Sequence, residues 1–101
     1  IGATMAVKNA GLSGKVYCFG TDASEQTINM ILDEDDILQA VTGQDPYNIG
    51  VMTMNAVIDT VEGAEVADKG QTVIVPGVVL SRADTAAVEA FKTDFLAKAG
   101  S

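Results

Sequence analysis

The sequence predicts an α/β fold in which alternating β/α units surround a mainly parallel sheet. Segments with apolar residues at helical spacing alternate with short β-rich apolar runs, the pattern of βαβ units. Apolar residues make up 48% of the chain and charged ones 20%, the balance of a packed domain. A chain of 101 residues supports one core, and such a domain buries roughly two-thirds of its unfolded surface. No internal repeat or low-complexity stretch interrupts the alternation.

Each element has a local reason. In IGATMAVKNA (1–10), Ile1, Ala3, Met5, Ala6, Val7 and Ala10 form a helical stripe, and Gly11 supplies the stop. The first turn carries no capping residue and the chain opens at Ile1 without a Met, so it reads as a processed product or a piece of something longer. KVYCFG (15–20) is expected to be a strand covered on both faces. Residues 24–32 place Ile28, Ile31 and Leu32 on one helical face. The acidic run Asp33–Asp36 lacks the alternating ligands and central Gly of a calcium loop and reads as a solvated turn. ILQAVTG (37–43) is the second strand. Asp45 is a candidate N-cap, with Pro46 at the first position of a helix over 46–62. That helix carries two apolar rows, Ile49/Met52/Ala56 and Val51/Met54/Ile58/Val61, which implies cover on more than one side. Gly63 ends it, and a polar loop runs to Gly70. TVIVPGVVL (72–80) is β-rich but bent by Pro76-Gly77. Asp84 can cap a helix over 85–98, with Val88, Phe91 and Phe95 turned inward.

Composition excludes several function classes. A net charge of −8 repels phosphate backbones, so no nucleic-acid partner is expected. One cysteine and no histidine leave little for metal or nucleophilic chemistry, and no cofactor is expected. Cys18 reads as a small packed hydrophobe. No apolar stretch reaches the ~20 residues that cross a bilayer, and no signal-peptide pattern is present.

In open α/β sheets, ligands bind beyond the carboxyl ends of the strands. Thr21-Asp22 and Gln44-Asp45 stand at such ends. A carboxylate accepts hydrogen bonds while a carboxamide both donates and accepts, a pairing suited to a neutral polyhydroxylated ligand. No glycine-rich phosphate loop accompanies them. The same residues have structural readings. Asp22-x-x-Glu25 resembles a capping box, Ser24 could cap equally well, and Gln44 could serve a turn. Tyr47 could stack on a ligand or rest against a hinge. Asp22 and Asp45 as paired carboxylates lack a nucleophile, electrophile or metal beside them.

GKVYCFGTDASEQ (14–26) and ILQAVTGQDPYNIG (37–50) together resemble the C-terminal part of type I periplasmic sugar-binding proteins, the solute receptors of ABC importers. The shared features are Gly20-Thr21-Asp22-Ala23-Ser24 and Gln44-Asp45-Pro46-Tyr47-Asn48-Ile49-Gly50. GATMAVKNAGLSGKV and PGVVLSRADTAAVEAF resemble the family's preceding helix and its closing strand and helix. The resemblance implies a Rossmann-like periplasmic-binding-protein fold, with residues 1–101 as a single C-terminal segment of a two-lobed protein. Chain crossings would fall near 44–46 and 76–80, and the helix over 46–62 would belong to the other lobe. It implies that Asp22 accepts hydrogen bonds from sugar hydroxyls, that Gln44 adds a polar contact, and that no reaction is catalysed. The implied partners are a monosaccharide or polyol and, through the intact parent, a membrane permease. The exposed Met52/Met54 helix would allow self-association. The implied location is periplasmic or extracellular, with a lipoprotein anchor in a Gram-positive cell. The family's stacking aromatics and its Asn-Asp turn are not in this chain. The alternatives are the effector-binding core of a lactose-repressor-like regulator, a flavodoxin- or receiver-like domain, and an engineered half-barrel or chimera.

Overall fold

The computed structural model describes residues 1–66 and 69–98. The order is α1 (Gly2–Asn9), β1 (Cys18–Thr21), α2 (Glu25–Leu32), β2 (Leu38–Gly43), α3 (Pro46–Val61), β3 (Val78–Ser81) and α4 (Thr85–Lys98). Two compact units divide the chain: Ile1–Gln44 with the chain from Val78 onward, and Asp45–Gly77. The α/β class expected from the sequence is what forms. Positions 67 and 68 of the expected 64–70 loop lie outside the described residues.

In the first unit three strands form one sheet in the order β1-β2-β3. β1 and β2 are parallel, with Thr21 opposite Thr42. β3 runs antiparallel to β2, pairing Gly43 with Val78 and Ala40 with Ser81. The sheet is therefore mixed, where βαβ units throughout would have made every pairing parallel. The cause lies in the return path: the chain leaves the sheet at the end of β2 and comes back beside that same end. β3 is also shorter than the β-rich run, since Pro76-Gly77 precedes it and only Val78–Ser81 pairs.

The core fills one face of the sheet. Ile28 and Ile31 of α2, Leu38 and Val41 of β2, Leu80 of β3 and Val88 of α4 are buried together, with Cys18, Ala23, Met30, Leu32 and Phe91 against them. Each fully buried aliphatic contributes about 1.5–3 kcal/mol by removal from water. Leu38 and Val41 both reach this face because the pairing with β1 shifts between Cys18 and Phe19, leaving Gln39 as an extra residue in β2. The other face is open: Phe19 is 73% exposed and Val79 67%. β1 was expected at 15–20 and covered on both sides; it begins at Cys18 and alternates between half-buried and exposed residues. An apolar run does not by itself reveal how many layers its partners supply.

Helix ends are closed in two ways. α1 ends at Gly11, whose φ is +68°. Leu12 N–H there bonds to Val7 O and Gly11 N–H to Lys8 O, which satisfies the last carbonyls locally. α2 has no such glycine, and its C-cap Asp33 is extended. Its free carbonyls take Arg82 instead. Arg82 Nη2 donates to Met30 O at 2.9 Å and to Leu38 O at 3.1 Å, Nη1 donates to Asp33 O, and Nε donates to Leu38 O at 3.2 Å. The Arg82 backbone N–H donates to Gln39 O at 2.8 Å. A cation at a helix C-terminus is favoured by the helix dipole as well. The acidic turn is thus engaged rather than simply solvated. Asp36 pairs with Arg82 at 3.4 Å, and Lys8 of α1 pairs with Asp33 and Asp35.

In the second unit, Asp45 caps α3 by accepting from Asn48 N–H at 3.0 Å, and Pro46 follows it. Gly63 closes the far end at φ +76°, with Ala64 N–H bonded to Asp59 O. α3 contains no buried residue.

Replacing Arg82 by Met should lower unfolding free energy in urea by about 2–3 kcal/mol, the scale of charged hydrogen bonds left unmade. Arg82→Lys should recover only part, since one ammonium cannot span carbonyls on both α2 and β2. The hydrogen bond from Lys8 to Asp35, then the charges of Asp35 and Asp33, raise the Lys8 pKa above its ordinary 10.5. The pair's stabilisation is therefore intact below pH 10.5 and fades as pH rises through the folded-state value. An NMR titration of Lys8 should show this upward displacement, and Asp35→Asn should remove most of it.

Candidate ligand-binding site at the strand ends

Because β1 and β2 are parallel and Thr21 pairs with Thr42, Asp22 and Gln44 follow neighbouring strands at the same edge of the sheet. This is the carboxyl edge, where the first residues past the strands face outward and α/β proteins hold ligands. Asp22 and Gln44 are both exposed. Both lie in the first unit.

The turn between β1 and α2 sets the Asp22 carboxylate. Ser24, not Asp22, is the N-cap: its Oγ accepts from Thr27 N–H at 3.2 Å, and Thr27 Oγ1 accepts from Ser24 N–H at 2.8 Å. Thr27 occupies the third helical position, so this reciprocal box leaves Glu25 without the role assigned to it in an Asp22-x-x-Glu25 reading. Asp22 takes a left-handed backbone, φ +65°, which Asp tolerates better than most non-glycine residues. No hydrogen bond or ion pair engages its carboxylate among the described residues. The cap reading of Asp22 is thereby removed.

Gly43 allows the end of β2 to sit tightly. A Cβ there would lie 3.2 Å from Val78 Cγ1 and 3.3 Å from Ala23 Cβ. Such distances would force the β1–α2 turn or β3 outward. The glycine therefore keeps Ala23, and with it Asp22, drawn against the strand that carries Gln44.

The Asp45 carboxylate serves the start of its own helix. Its oxygens hold Asn48 at the start of α3, one from the backbone N–H and the other from the side-chain amide. Tyr47 is 52% exposed on α3, in the second unit. Cys18 packs half-buried against the core, as its apolar surroundings predict. No group of three or more His, Cys, Asp or Glu side chains among the described residues is arranged to hold a metal ion. None of the described helices is long and apolar enough to cross a membrane.

Sequence reasoning placed Thr21 with Asp22 at the end of β1 but passed over the hydroxyl of Thr42. Thr21 and Thr42 are exposed and directly paired at the strand ends. The edge thus offers a carboxylate, a carboxamide and two hydroxyls, a set of hydrogen-bond donors and acceptors. The signal for Thr42 was present in the alternation of LQAVTG, whose Val41 and Gly43 are buried while Thr42 is not.

Two substitutions separate the roles in this turn. Ser24→Ala should cost about 1 kcal/mol as a lost cap. Asp22→Gly should leave stability unchanged or raise it by up to about 1 kcal/mol, because glycine accepts the left-handed backbone freely. Urea unfolding of both variants checks this, and a destabilised Asp22→Gly would return Asp22 to a structural role. Neither a protein-family model nor a curated protein matches this chain.

Proposed function

We propose that the chain binds a neutral polyhydroxylated ligand, a monosaccharide or polyol, as the C-terminal segment of a two-lobed receptor that serves an ABC importer. The observation that carries this reading is the Asp22 carboxylate. It is exposed and unengaged among the described residues, on a left-handed turn, beside the strand end that bears Gln44. A short polar side chain at a position that glycine would occupy more comfortably, with no structural bond to make, is a candidate for binding.

The chemistry follows from the inventory of groups. The two Asp22 oxygens accept from adjacent hydroxyls. The Gln44 carboxamide donates to one oxygen and accepts from another, and Thr21 and Thr42 extend the polar edge. Charged acceptors bind hydroxyls more strongly than neutral ones do. No bond is made or broken, so the role is recognition and delivery rather than catalysis. The division of the chain at Gln44/Asp45 and Gly77/Val78 supports a receptor whose polypeptide passes between lobes. In this reading the permease contacts the closed receptor outside the cytoplasmic membrane, in the periplasm or at the cell surface.

The test is a titration of the 15N-labelled chain with a panel of pentoses, hexoses and polyols. Amide shifts should be confined to Gly20–Ser24 and Gly43–Asp45, with dissociation constants weaker than about 1 mM because only one side of the ligand is held. Asp22→Ala and Gln44→Ala should each abolish them. Micromolar affinity would sink the half-site reading, and no shift with any sugar at about 100 mM would sink the carbohydrate reading.

A further inference from the structure

We infer that Phe95 of α4 is the apolar wall of the strand-end site, and that this wall selects a pyranose over an open-chain polyol. The inference rests on the sugar-binding reading above and narrows its ligand.

The course of α4 carries it. β3 runs down β2 from Val78, opposite Gly43, to Ser81, opposite Ala40. α4 therefore starts at the far end of the sheet and climbs back toward the carboxyl edge, packed on α2 and β3 with Val88 in the core. One turn on, Phe91 reaches the end of β2: its Cζ lies 3.6 Å from where a Cβ on Gly43 would stand. Phe95 follows four residues later, about 6 Å further along the helix, whereas a strand gains about 3.3 Å per residue. The Phe95 ring thus stands level with the residues just past Gly43, of which Gln44 is the first. Asp22, Gln44, Phe91 and Phe95 all belong to the first unit.

The ring has a fixed seat. Its centroid is 5.9 Å from that of Phe91, with the planes 17° apart, an offset-stacked arrangement. Phe91 is itself held against the core, while Phe95 stays half-buried rather than buried. Phe91 meets Gly43 from the core face, whereas Thr42 is exposed on the open one. The polar edge is therefore flanked by hydroxyls on one side and by an aromatic ring on the other. An aromatic face is electron-rich and attracts the weakly positive hydrogens of C–H groups. A pyranose divides its surface to match, with hydroxyls around the rim and axial C–H groups gathered on a face. Its rim meets Asp22 and Gln44 while that face lies on Phe95, the usual union of an apolar wall with a few placed polar groups. An open-chain polyol with the same hydroxyls has no fixed C–H face, and ordering one costs conformational freedom.

The test presents the 101-residue chain with a panel of methyl pyranosides and the open-chain polyols of matching configuration. Selective saturation of the protein's aromatic protons should pass magnetisation to the ring C–H protons of a bound pyranoside. Phe95→Leu should abolish that transfer and weaken pyranoside binding about two- to tenfold, while the amide shifts at Asp22 and Gln44 persist. Phe95→Tyr, which keeps the ring, should restore both. Polyols should bind more weakly than pyranosides to the unaltered chain, and Phe95→Leu should erase that difference. Amide shifts without aromatic transfer, transfer that survives Phe95→Leu, or polyols that bind as well as pyranosides would overturn the wall and leave the strand-end site standing. Absence of amide shifts with every ligand would overturn the site, and the wall with it.

Discussion

The guanidinium of Arg82 holds the architecture of the first unit together. α2 ends without a glycine, and its terminal carbonyls would otherwise be left to solvent at the edge of the core. One side chain just past β3 reaches Met30, Asp33 and Leu38, while its backbone N–H takes the carbonyl of the extra residue in β2. A planar fork with several fixed donors suits this work. It ties the C-terminus of α2, the turn after it, the β2 bulge and β3 at one point. Displacing β3 would therefore expose the end of α2 as well as Leu80.

The proposed binding edge depends on the same helix from its other end. α2 is anchored by Arg82 at its C-terminus and by the Ser24–Thr27 box at its N-terminus. With both ends held and Ile28 and Ile31 buried, the residue just before the cap has little freedom of position. Asp22 inherits that rigidity without contributing to it. A recognition group benefits from such an arrangement, because a side chain on a preorganised turn loses less freedom when it meets a ligand.

Features written in a few adjacent residues were legible. Gly11 and Gly63 stop α1 and α3, Asp45-Pro46 starts α3, and Asp84 caps α4 through Ala87 N–H. Features that depend on distant partners were not. The Arg82 contacts join residues 44 to 52 positions apart, and nothing local marks that arginine. The direction of β3 is decided by where the chain re-enters the sheet, which the composition of TVIVPGVVL does not encode. Asp22 and Ser24 were equally admissible caps by spacing. The backbone resolves them, because an N-cap needs an extended conformation and Asp22 is left-handed. The pairing of Asp22 with Gln44 at one edge was legible, since two short strands joined through a helix run parallel.

Gly43 pairs with Val78, so the chain departs from the sheet and rejoins it at two neighbouring points. Partners in an antiparallel ladder lie about 4.5–5.5 Å apart, a gap that a two-residue hairpin turn closes. Residues 45–77 are in this sense an insertion at a hairpin tip. The closure entropy of such an excursion grows only with the logarithm of its length. Lengthening, shortening or exchanging the segment thus places little demand on the sheet, and its surface can vary while the strand ends that carry Asp22 and Gln44 stay where they are.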